Sequence, residues 1–135
     1  MIVVDVNIII YLFIQGERTQ QARALLFKDA EWSAPILWKS EFLNVLATHV
    51  RKNIIPIHVA MILVQIAEVL MKGKEYIVQA SEVLILAKNS GCSAYDCEYV
   101  VLAKDFNIPL LTTDKKVLSS FPSIAISPEA YLQQT

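Results

Sequence analysis

The chain of 135 residues is poor in the residues on which several catalytic templates depend. With three glycines it has no phosphate-cradling loop, no dinucleotide-binding fingerprint and no nucleophile elbow. Its two cysteines, Cys92 and Cys97, have no zinc spacing and form no disulfide framework, so reduced thiols in a cytoplasmic protein are expected. The two histidines, His49 and His58, lack ligand spacing and read as packing or surface residues. Basic excess is also missing: net charge is −1 and the pI is near 6.1, so any contact with nucleic acid must be local. The apolar N-terminus has no basic leader and contains Asp5 and Asn7, which argues against both a signal peptide and a membrane span. No repeat or low-complexity linker divides the chain.

Hydrophobic residues are plentiful, at 55%, enough for one domain with a substantial core over residues 1–135. Strands are expected at Ile2–Val4, Glu31–Ala34, Glu75–Val78, Pro109–Thr112 and Ile124–Ile126. Helices are expected over Asn7–Phe13, Thr19–Lys28, Ile36–Arg51, Ile57–Met71, Ala80–Asn89 and Ala94–Phe106, with one helical turn at Lys115–Ser119 and a last helix opened by Ser127-Pro128. Pro35 fits a first helical position, Gly73 and Gly91 fit helix ends, and the very apolar Ile57–Met71 segment should pack on two sides. This alternation predicts an α/β fold in three layers, with a short, mostly parallel sheet of about five strands covered by helices on both faces.

The chemistry is carried by acids. Asp96 shares a helical face with Tyr99, Val100 and Ala103, where a core residue belongs, whereas Glu98 and Asp105 point to the opposite side. Asp114 follows a strand at the edge where α/β sheets open their ligand crevices, and Asp5 also ends a strand. Glu41 lies on the border of an apolar helix face, in line with Asn44 and Thr48. Each has a structural alternative: Asp5 and Asp114 as helix N-caps, Ser93 to Asp96 as a capping box, and Glu41 as a surface glutamate. Converging carboxylates would repel by about 4 kcal/mol per pair at 4 Å and an effective dielectric of 20, which favours a cation among them. All-oxygen ligands select Mg²⁺ or Mn²⁺ over Zn²⁺, and such an ion suits phosphodiester hydrolysis. Lys39, Arg51, Lys52, Lys115 and Lys116 are candidate phosphate contacts, with solvated surface charge as their default role.

Three stretches, VVDVNIIIYL, SEFLNVL and AYDCEYVVLAKDFNIPLLTTDKKVL, make the chain resemble a PIN domain, the fold named after the PilT N-terminus. Within that family it is similar to the single-domain toxin nucleases of the VapC type. The resemblance implies a Mg²⁺- or Mn²⁺-dependent endoribonuclease with Asp5, Glu41 and Asp96 as metal ligands and Asp114 as the acid completing the site. It further implies that Asn7 and Thr112 or Thr113 orient those ligands, that the chain forms a homodimer, and that a small antitoxin neutralises it. Lys115 and Lys116 stand where some members carry a further acid. A catalytically silent interaction module and a DNA-cutting nuclease are the competing expectations.

Overall fold

In the computed structural model, residues 1–134 are described. Among them five strands and eight helices follow in the order β1 (Ile2–Val4), α1 (Val6–Phe13), α2 (Thr19–Lys28), β2 (Trp32–Pro35), α3 (Trp38–Arg51), α4 (Ile57–Met71), β3 (Glu75–Tyr76), α5 (Ala80–Ser90), α6 (Ala94–Phe106), β4 (Leu110–Leu111), α7 (Lys115–Ser120), β5 (Ala125–Ile126) and α8 (Pro128–Gln133). The sheet order is β3-β2-β1-β4-β5, and every ladder is parallel. Helical crossovers enforce that direction, and they cover the sheet: Ile2, Val3 and Val4 point alternately to opposite faces, yet all are at most 1% exposed.

Left-handed residues end two of the helices, the first as read from the sequence. Gly91 caps α5 in the left-handed region at φ 73°, where a Cβ would be strained, and Asn107 does the same for α6 at φ 53°. Pro35 departs from expectation. It is the last residue of β2, paired with Tyr76, while Ala34 and Ile36 donate their amides to the carbonyls of Lys74, just before β3, and of Tyr76 on β3. Its missing N–H falls beyond the Ile2/Trp32 and Val3/Ser33 register with β1, so no ladder bond is lost. Helix α3 therefore starts at Trp38 instead of Ile36.

α4 also departs. It buries Ala60, Ala67 and Met71 but leaves Ile57, Met61, Ile62, Ile66 and Val69 exposed, so within this chain it packs on one side only. α6 lies against β1 and β2 with α5 behind it, whereas α1, α3 and α4 form a second mutually packed group. Trp38, Phe42 and Phe13 anchor that group in an aromatic chain, with ring centroids 5.8 and 6.2 Å apart.

Candidate active site

The sheet reverses its order of winding between β1 and β4, and the carboxyl ends of those two strands open a crevice. Past β1, Asp5 caps α1 by accepting the Asn7 amide on Oδ1 at 2.6 Å. Past β4, Asp114 caps α7 by accepting the Val117 amide on Oδ1 at 3.0 Å. Ser93 caps α6 by accepting the Asp96 amide at 3.0 Å, which sets Asp96 in the first helical turn, and Glu41 stands in the first turn of α3. All four acids line one cavity of about 290 Å³. For Asp5 and Asp114, capping and lining the cavity are thus not alternatives, because each carboxylate does both. The positive ends of four helix dipoles accompany the concentrated negative charge and partly offset it.

A buried hydroxyl joins the two strand ends. Thr112, 1% exposed, donates from Oγ1 to Asp5 Oδ2 at 2.6 Å and accepts the Asp114 amide at 3.1 Å. Across the cavity the Tyr99 phenol, from α6, donates to Glu41 Oε1 at 2.7 Å. Burial pushes Asp5 above the usual carboxylate range; the bonds from Thr112 and Asn7 hold it back, and the charges of Asp96 and Asp114 push it further. Glu41 is raised first by burial and then by Asp5, Asp96 and Glu98, against the lowering bond from Tyr99. Asp96 is raised by burial and by Asp114, with Ser93 and Lys116 opposing.

Among the described residues no three His, Cys, Asp or Glu side chains are gathered into a ready-made metal cage. The acids instead line an open cavity, each held back by its own donor. Glu41 Oε2 and Asp114 Oδ2 accept no described side-chain or cap hydrogen bond. This set fits a hard divalent cation: every donor is oxygen, and the charges of neighbouring carboxylates raise three of the acids.

Raised carboxylate pKa values fix the sign of a pH effect. Their contribution to stability is full below the ordinary carboxylate range and is lost as pH climbs through the raised values, so the ionised cluster destabilises the metal-free fold at neutral pH. Glu41→Gln removes one charge yet keeps an oxygen for Tyr99. At pH 7.5 without metal this variant is expected to melt roughly 2 to 5 °C above the wild type, the effect of about 1 kcal/mol discounted for a half-exposed group. The gap should close near pH 4. A wild type that melts higher at pH 7.5 contradicts this electrostatic account.

The other expected residues divide. Asn7 and Thr112 line the cavity; Thr113 does not, and its hydroxyl lies 3.3 Å from that of Tyr11. Lys39 is turned away, with Nζ 2.9 Å from Glu68 in a separate groove that Lys72 and Glu75 also line. Lys116 donates to the Gly91 carbonyl at 2.7 Å, close enough for its charge to lower Asp96, and Lys115 is exposed. Glu98 does not line the cavity, in keeping with its helical phase, but it is half-buried and its charge still raises Glu41 and Tyr99. Cys92 and Cys97 are buried and unpaired with each other.

Two residues of the cavity wall, Tyr99 and Asn44, had no assigned role in the sequence reading. Their signal was spacing alone, since each lies three residues after an acid on the same helix. The two threonines separate by substitution. Thr112→Val strands the Asp5 oxygen and the Asp114 amide and is expected to cost about 1 to 3 kcal/mol in urea unfolding. Thr113→Val should cost well under 1 kcal/mol. Equal losses would remove Thr112 from its bridging place.

The PIN domain family matches residues 2–123, a span that includes all four acids. Ribonuclease VapC3 from Pyrobaculum aerophilum is 29% identical over 126 residues, which covers 91% of this chain and 96% of that protein. Among solved structures, PAE2754 from Pyrobaculum aerophilum superposes with a TM-score of 0.76 at 21% identity, covering 96% of this chain and 92% of that one. A toxin-antitoxin complex from Klebsiella pneumoniae gives 0.68 at 16% identity, covering 95% and 98% respectively. At such identities the two structures share the fold. With the family match extending over most of its length and its acids gathered at the carboxyl edge of a parallel sheet, the chain belongs to the PIN domain family.

Proposed function

We propose that this chain is a single-domain, divalent-metal-dependent endoribonuclease and the toxin of a toxin-antitoxin pair. The observation that carries the reading is the convergence of Asp5, Glu41, Asp96 and Asp114 on one open cavity. Family membership and a relative named as a ribonuclease support it. Mg²⁺ or Mn²⁺ is the resident ion in this reading; when bound, it polarises a phosphoryl oxygen and acidifies the attacking water.

The chain's own residues prepare that chemistry. Asp5, Glu41, Asp96 and Asp114 would hold the ion through oxygens supplied from two strand ends and two helix starts. Thr112 fixes the rotamer of Asp5, and the Asn7 amide fixes its other oxygen. Lys115, exposed on the first turn of α7 beside Asp114, is the freer candidate to meet a backbone phosphate, whereas Lys116 already donates to the Gly91 carbonyl. Lys39 is the weaker candidate because Glu68 already holds it. Water attack leaves a 5′-phosphate and a 3′-hydroxyl, with no requirement for a 2′-hydroxyl. Specificity for RNA is therefore a matter of groove shape.

The antitoxin has a surface to occupy. An apolar groove of about 430 Å³ runs between α3 and α4, lined by Leu43, Leu46, Val50, Ile57, Met61 and Val64. The exposed Ile62, Ile66 and Val69 of α4 offer apolar surface for a second copy of the chain. No described helix is long and apolar enough to cross a membrane, and the proposed role places the protein in the cytoplasm.

The deciding assay incubates purified protein with single-stranded and structured RNA, and in parallel with single-stranded DNA, in Mn²⁺, Mg²⁺ or EDTA. Cleavage of RNA with a divalent ion and none in EDTA is the expected result. DNA-only cleavage selects the competing nuclease reading, and no cleavage with no Mn²⁺ binding selects a silent interaction module.

A further inference from the structure

The four acids are not held equally. Asp5 accepts two hydrogen bonds, from the Thr112 hydroxyl and the Asn7 amide. Asp114 and Asp96 have short side chains at helix starts, the first accepting the Val117 amide and the second beside Ser93. Glu41 differs in having one more side-chain torsion and no capping role. Among the described residues its side chain accepts a single hydrogen bond, from the Tyr99 phenol at 2.7 Å. Tyr99 is 4% exposed, lines the same cavity and lies three residues after Asp96 on α6.

We infer that Tyr99 is a positioning residue for Glu41, holding Oε1 with its hydroxyl so that Oε2 is presented to the cation. The inference rests on the metal-dependent reading above. Helix α6 then serves the site twice, supplying one acid directly and orienting another that comes from α3. A glutamate left to itself would spread over several rotamers. Ordering it costs side-chain entropy, which the hydrogen bond offsets before the ion arrives. The plain alternative is a core tyrosine whose hydroxyl merely takes the nearest acceptor.

Isothermal titration of Mn²⁺ into four full-length proteins separates the two: wild type, Tyr99→Phe, Glu41→Gln and the double variant. Tyr99→Phe keeps the ring and removes the donor, and is expected to weaken Mn²⁺ binding by about tenfold or more. In the Glu41→Gln background the same change should alter the affinity by less than about twofold, since the two residues act as a unit. Undiminished affinity in Tyr99→Phe, or an equal loss in both backgrounds, overturns the assignment. If Tyr99→Phe does not fold by circular dichroism, Glu41→Asp takes its place. That shorter acid withdraws from the phenol, and affinity equal to wild type then overturns the assignment. A wild type that takes up no Mn²⁺ brings down the metal reading and this one together. A wild type that binds, with a Tyr99→Phe that binds equally, brings down this one alone.

Discussion

Asp96→Asn is expected to lower metal-dependent RNA cleavage by at least about a thousandfold, equivalent to roughly 4 kcal/mol of lost transition-state stabilisation. The substitution is nearly isosteric and leaves the Ser93 cap intact, because that cap uses the backbone amide of residue 96. What disappears is one negative charge in a cavity where the nearby Asp114 charge already raises Asp96. Asp96 makes a cleaner test than Asp5, whose Oδ2 accepts from the Thr112 hydroxyl and would face it with an amide N–H after Asp5→Asn. Single-turnover cleavage of a labelled RNA, with circular dichroism as the folding control, gives the measurement. A variant that keeps more than about a tenth of wild-type activity while folded removes Asp96 from the catalytic set.

The second large effect concerns stability. Trp38→Ala should cost about 3 to 5 kcal/mol, a large fraction of the 5 to 15 kcal/mol typical of a domain. Trp38 is 1% exposed, stacks at a tilt on Phe42 and donates from Nε1 to Glu75 Oε1 at 2.6 Å. It thereby fastens the start of α3 to the edge strand β3, one turn before Glu41. Alanine leaves a cavity and an unmet carboxylate, whereas Trp38→Phe keeps most of the volume and should lose nearer 1 to 2 kcal/mol. Urea denaturation followed by circular dichroism reads both. A Trp38→Ala loss below about 1.5 kcal/mol would mean that α3 is anchored by something other than this ring.

Much of the site was legible because helical and strand periods are geometric. Asp96 on the face of Tyr99 and Val100, and Asp5 and Asp114 at strand ends, follow from spacing alone. The parallel direction of the sheet was legible from the helices that must fill its crossovers. Other features depend on tertiary neighbours. Pro35 reads as a helix start, but its fate was decided by β1 ending before reaching it. Nothing in TTD distinguishes Thr112 from Thr113; β4 turns one inward and the other toward Tyr11. Lys39 reads as a free cation because its partner, Glu68, lies on another helix. The outer face of α4 looked like a doubly buried helix, since hydrophobicity does not say whether the covering partner belongs to the same chain.

The central strand β1 is the first of the described strands and its neighbour β4 the fourth, paired to it through Val3 and Leu110 and through Val4 and Leu111. Asp5 consequently waits for Thr112 and Asp114 to arrive from more than 100 residues further along before its surroundings exist. During translation the growing chain cannot assemble the acidic crevice until β4 has left the ribosomal exit tunnel. The acidic crevice is therefore a late product of folding, closed by the pairing of widest sequence separation in the sheet.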